Sequence, residues 1–240
     1  MIMIVKITAP QGIIDLKTKL VSQHLTPEQE YKKLKGPLKN TVRESLMKEQ
    51  GHLCAYCMCE IPDGRVAGTK IPGVTLEHYI ARNNRSSSTV TGTGLGVDYN
   101  NLLAVCSGGR VPRGTYNDNE LTCDASRGNK PLSVDPLDES TLATIYYKQN
   151  GEIAAKDSTI EDDLVNTLNL NCAKYSDLPD RRKKALEPIE DYIASLVDPI
   201  DILNESKHLL QDYEAESDPK TPFCGSIIWW LKDYIRTLEA

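Results

Sequence analysis

Several features that would classify a chain quickly are missing from this one. No apolar run approaches the roughly 20 residues that a membrane-spanning helix needs; the longest are residues 1–5 and 226–231. The opening MIMIVK has no basic stretch followed by a long apolar one, so no secretory leader is expected. The cysteines number seven, an odd count that does not fit a disulfide framework. Phenylalanine occurs once and tryptophan twice against 11 tyrosines, and a tyrosine-rich set does not of itself indicate base stacking. With 15 Gly and 13 Pro in 240 residues, collagen-like, low-complexity and wholly disordered chains are excluded. What remains is a soluble, cytoplasmic protein with no membrane partner, long enough to bury a core without disulfides.

Nor is there an excess of positive charge. The net charge is −6, which argues against a protein that coats nucleic acid by bulk electrostatics. The charge is uneven, however. Residues 1–150 carry 18 Lys and Arg against 15 Asp and Glu, a net of +3; residues 151–240 carry 10 against 19, a net of −9. A local nucleic-acid site in the first part stays open.

The pattern along the chain predicts an α+β protein. Thr26-Pro27-Glu28-Gln29 suits a helix start, with Pro at the first helical position. A helix over 37–50 would bury Val42, Leu46 and Met47, and Gly51 would end it. Residues 54–60 form a tight knuckle, 74–80 a strand, and 99–105 a short apolar segment. Loops are expected at 83–96 and 107–121. Asn150-Gly151 between 141–148 and 152–156 is a hairpin signal, and helices follow at about 160–168, 179–196, 200–215 and 225–238. The expected organisation is a helical lead-in (1–50), a central module (51–135), and a hairpin with helices (136–240).

Chemistry concentrates in the centre. Cys54-Ala-Tyr-Cys57 has the two-residue spacing with which a tight turn points two thiolates at one zinc ion. Cys106 and Cys123 are candidates for the remaining two ligands, while Cys59 or His52 could compete. Cys172 and Cys224 read as buried apolar residues. Leu76-Glu77-His78-Tyr79-Ile80 ends the predicted strand, and a lone His there would ordinarily be structural. Its company alters that reading: Asn100-Asn101-Leu102 leads to Cys106, and Cys123-Asp124-Ala125-Ser126-Arg127-Gly128 follows.

This order of motifs resembles the HNH endonucleases, whose ββα-metal fold is often braced by a structural zinc. The resemblance covers about residues 51–130, and its finer flavour is similar to the HNH subunit of Septu-type and retron-linked bacterial antiviral systems, a subgroup that the tail around Pro222-Phe223-Cys224-Gly225 also resembles, which extends the likeness along most of the chain. It implies His78 as general base, Asn101 as the residue shaping the active-site loop, and Glu77 and Asp124 as ligands of a catalytic ion. Arg127, with Arg82, would hold substrate phosphate, and Cys54, Cys57, Cys106 and Cys123 would cage the zinc. Glu77 stands where that family usually has Asp, Asp124 where it has His or Asn, and the usual Pro after the His motif is absent. Two carboxylates suit Mg²⁺ or Mn²⁺ better than a second zinc.

The expected activity is therefore metal-dependent hydrolysis of phosphodiesters in nucleic acid, DNA ahead of structured RNA such as tRNA. An ABC-type ATPase is the implied protein partner. A zinc-binding adaptor without catalysis is the reading from another class. Three weaker signals complete the survey. Gly92-Thr-Gly-Leu-Gly96 reads as a loop bordering the site. Arg181-Arg182-Lys183-Lys184 reads as a solvated face or a backbone grip. The apolar stripe of 223–238, widened by Trp229 and Trp230, reads as a helix docking on a partner or buried in this chain.

Overall fold

The computed structural model describes residues 1–62, 64, 73–83, 91–110, 120–174 and 176–240. Among them are nine α-helices and two small antiparallel sheets, the α+β class expected from the sequence. Of the loops expected at 83–96 and 107–121, residues 84–90 and 111–119 lie outside the described residues.

An extended start leads into α1 (Gln11–Val21), α2 (Pro27–Tyr31) and α3 (Gly36–Glu49). Thr26 begins α2 with a capping box: Gln29 N–H donates to its hydroxyl, and its own N–H donates to the Gln29 side chain. Two otherwise orphaned donors are thereby satisfied. Helix α3 buries Val42, Leu46 and Met47 together, as their spacing predicts.

The centre is a strand pair. β1 (Thr75–His78) runs antiparallel to β2 (Leu102–Val105), with Glu77 opposite Leu103 and His78 opposite Leu102. All four β2 side chains are sealed, which explains a continuous apolar run in place of alternation. The knuckle lies against β2, where Ala55 N–H donates to Ala104 O at 3.1 Å. Gln50 stitches the two: its amide donates to Leu53 O and Ala104 O and accepts from Ala104 N–H, at 2.8–2.9 Å. Helix α4 (Cys123–Arg127) follows, its first residue a cysteine.

Beyond it come α5 (Glu139–Leu142), β3 (Ile145–Tyr147) and β4 (Ile153–Ala155), the last two paired as the Asn-Gly hairpin predicts. Gly151 has φ +81°, the left-handed conformation that glycine adopts without strain. Helix α6 (Ser158–Asp162) runs into a wider turn, Asp163–Thr167, before α7 (Leu178–Ala194), α8 (Pro199–Ala215) and α9 (Cys224–Leu238). The main apolar cluster draws on all parts of the chain, from Ile13 and Leu46 through Leu102 to Ile153, Leu164 and Cys224. A smaller one gathers Ile189, Ile193, Ile227 and Leu231.

Helix α9 meets two apolar clusters of this chain. Its stripe is wider than a single core can cover because it lies between two. Trp229 packs on the main cluster against Tyr146 and Tyr147, while Trp230 joins the smaller one, stacked on Tyr234 at 4.9 Å. Both tryptophans are half-buried, each packed on one of the two clusters. The basic run beside it is dispersed: Arg182 is buried and donates to Gly151 O and Leu170 O, Arg181 lies over Phe223, and Lys184 pairs with Asp180. No described helix is long and apolar enough to cross a membrane.

Candidate metal centre and active site

Three separate parts of the chain deliver the four expected cysteines to one place. Cys54 and Cys57 come from the knuckle, Cys106 follows β2, and Cys123 opens α4; their Sγ atoms all lie within 4.8 Å of one another. Cys54–Cys123 and Cys57–Cys106 are separated by 3.8 Å, and Cys106–Cys123 by 3.7 Å. A tetrahedral zinc with bonds of about 2.3 Å sets its sulfurs about 3.8 Å apart. Disulfide sulfurs would be bonded at about 2.0 Å; these cysteines are free. The donor set and its spacing fit zinc. Met58 and Cys123 take positive φ (63° and 56°), a backbone cost that persists where surrounding contacts over-determine it.

The electrostatics agree. Burial opposes ionising Cys54, but hydrogen bonds from Cys106, Cys123, Cys57 and Cys59 outweigh it and hold that thiol well below its ordinary value. Hydrogen bonds from Cys106 and Cys123 bring Cys57 down to about 5. Cys123, facing Cys106, Cys54 and Cys57, is held well above the usual thiol range. Thiol donors thus share the negative charge that a dication would neutralise. Of the competing ligands, Cys59 sits 3.2 Å from Cys57 outside the group of four, and His52 faces Asp218 at 3.2 Å. Cys172 and Cys224 are buried elsewhere, as expected.

Beside the cage, Glu77 from β1 faces Asp124 from α4. Burial and then the charge of Asp124 push Glu77 up to about 8, against the pull of Arg127. Asp124 keeps part of its surface in solvent, with Arg110 3.7 Å away. These two carboxylates are an oxygen-donor set that could hold a hard divalent cation. Arg127 is placed differently from the phosphate-gripping role expected of it. It is 1% exposed, and its donors are used internally. They reach Glu77 Oε1, Tyr56 Oη, His78 O, Tyr79 O and Lys130 O. The guanidinium braces α4 to β1, with its donors used on protein acceptors.

His78 points the other way, as adjacent strand residues do. Its Nε2 lies 3.0 Å from Gly96 O, and its ring meets Tyr31 edge-on at 4.9 Å. A carbonyl only accepts, so Nε2 carries the proton and Nδ1 is left as the basic nitrogen. Burial lowers its pKa to about 3, so the ring is neutral at pH 7. Asn101 bridges the flanking loops: Ile80 N–H donates to its Oδ1 at 2.7 Å, and its amide donates to Ile80 O and Leu95 O. Arg82 pairs with Glu28 at 2.6 Å over the Tyr31 ring.

The sequence reading missed Glu30. It is fully buried, and Gly94 N–H and Gly96 N–H each donate to one of its oxygens at 2.9 Å. Gly96, whose other end accepts from His78, approaches Pro27 so closely that a Cβ would fall 2.0 Å from Pro27 O. The glycine run read as a bordering loop is thus latched to α2. No motif marks a carboxylate that binds a loop more than sixty positions away; a buried glutamate in α2 shows itself only in the fold. Neither the protein-family models nor the curated proteins searched contain a match to this chain.

Proposed function

We propose that this chain is a metal-dependent endonuclease of the HNH type, hydrolysing phosphodiesters in nucleic acid and DNA foremost. The observation that carries the reading is the union of β1, β2 and α4 around the cysteine cage, with Glu77 and Asp124 face to face beside it. In this reading the cage zinc is a closed structural site, and Mg²⁺ or Mn²⁺ between the carboxylates supplies charge neutralisation at the scissile phosphate. His78 would act as the general base, taking a proton from water as the water oxygen attacks phosphorus, and the 3′-oxygen would leave with a proton from solvent. No covalent intermediate is needed. Asn101 and Glu30 hold the loops that orient the imidazole.

The partner implied by the resemblance, an ABC-type ATPase, belongs to the same proposal, with action as an effector of antiviral defence. The catalytically inactive zinc adaptor is favoured by one observation: Arg127 already occupies Glu77. The two readings separate when purified protein, with and without the ATPase, is incubated with plasmid DNA and with total tRNA plus Mg²⁺ or Mn²⁺. The nuclease reading expects DNA cleavage that falls about 10²–10⁴-fold in His78→Ala, with the zinc retained. Cleavage of tRNA alone would move the substrate to RNA. Intact substrates under every condition would leave the adaptor.

A further inference from the structure

Arg127 is internal, so a substrate phosphate must meet other cations. The Tyr31 ring, at the end of α2, gathers two. The Arg82 guanidinium carbon lies 4.1 Å from its centroid and the Lys39 ammonium 4.6 Å, while His78 meets its edge at 4.9 Å. Arg82 has Glu28 as a partner; Lys39 has no carboxylate partner among the described residues. The connecting segment adds Lys32, Lys33 and Lys35, all exposed, of which Lys32 faces Glu28 at 3.6 Å. The other acid of α2, Glu30, turns inward to Gly94 and Gly96 and leaves this face.

A half-buried lysine held on an aromatic ring without an acid differs from the paired lysines of the acidic C-terminal region, such as Lys184 with Asp180. Cation–π contact fixes the position of the ammonium without neutralising it. Its charge remains available to an anion beside the imidazole. We propose that Lys39 and Arg82, gathered on Tyr31, form a phosphate subsite that receives the nucleic-acid backbone alongside His78. The proposal rests on the nuclease reading and adds to it the side from which substrate enters: over α2 and α3.

The test is fluorescence anisotropy of a labelled DNA duplex titrated with the zinc-loaded full chain. Mg²⁺ and Mn²⁺ are left out so that the DNA stays intact, and the titration is repeated across salt concentrations. Each phosphate contact contributes about 0.9 to the slope of log affinity against log salt. Lys39→Gln and Arg82→Gln should each weaken binding several-fold and flatten that slope by about one contact. Lys39→Arg should restore it, and Lys184→Gln should change nothing. Wild-type affinity and slope in both Gln variants, with plasmid cleavage intact, would overturn the subsite and leave the nuclease reading standing. A wild-type protein that neither binds nor cleaves DNA would overturn the subsite, and if tRNA also stayed intact, the nuclease reading with it.

Discussion

A buried carboxylate is costly unless its oxygens are used, and Glu30 uses both. Its two acceptors hold Gly94 and Gly96, and Gly96 in turn holds the protonated nitrogen of His78. Removing the side chain strands two buried N–H groups, each worth about 1–3 kcal/mol. Glu30→Ala should therefore lose about 2–6 kcal/mol in urea unfolding. In the fraction that folds, cleavage should drop because the imidazole loses its fixed carbonyl, and Glu30→Gln should recover part of both. An alanine variant as stable as the parent would show that the latch carries nothing. Arg127 teaches the complementary point. Its identity was legible three positions after Asp124, but its work was not. Whether a guanidinium faces solvent or braces Glu77 depends on where β1 and α4 meet, and no local spacing encodes that. Lys39 and Tyr31 were invisible for the same reason.

Elements were most legible where a local rule is strong. The Asn150-Gly151 turn, the capping box at Thr26 and the apolar faces of α3 and α7 follow from neighbours in sequence. Short pieces were harder. The stretch expected to be a strand from 141 begins as the end of α5, because the Asp138 side chain caps it by accepting from Ser140 N–H. Helix α9 shows the limit of pattern: a wide apolar stripe reads the same whether a partner or a second core covers it. With Cys224, Ile227 and Leu231 at 0% exposure and both tryptophans packed, α9 is a structural member. Losing a few large buried side chains costs about 2–5 kcal/mol each, against a total stability of roughly 5–15 kcal/mol. A chain truncated after Lys220 should therefore aggregate or lose its cooperative thermal transition. A truncated protein that melts cooperatively at the parental temperature would restore α9 as a free docking helix.

At the scale of the whole molecule, the cysteine group lies where the knuckle, the end of β2 and the start of α4 meet within the main apolar cluster. The carboxylates and the imidazole take their places from that junction. The first pair of ligands was legible from its two-residue spacing. The second was legible only through company, because a long insertion separates Cys106 from Cys123 and erases the local signal. Structural zinc contributes apparent binding free energies of about 10–16 kcal/mol, as large as the stability of an entire domain. An ion held by these four cysteines would therefore decide whether this module exists as a folded unit. The charge asymmetry belongs to the same scale: a net +3 half holds the cage and its neighbouring carboxylates, while the net −9 helical region supports it. The measurement that bears most directly on this account is elemental analysis of the purified chain and its cysteine variants. One zinc per chain is expected, kept in Cys59→Ser, Cys172→Ser and Cys224→Ser and lost, together with the folded module, in Cys106→Ser and Cys123→Ser. A stoichiometric zinc retained in those last two variants would contradict it.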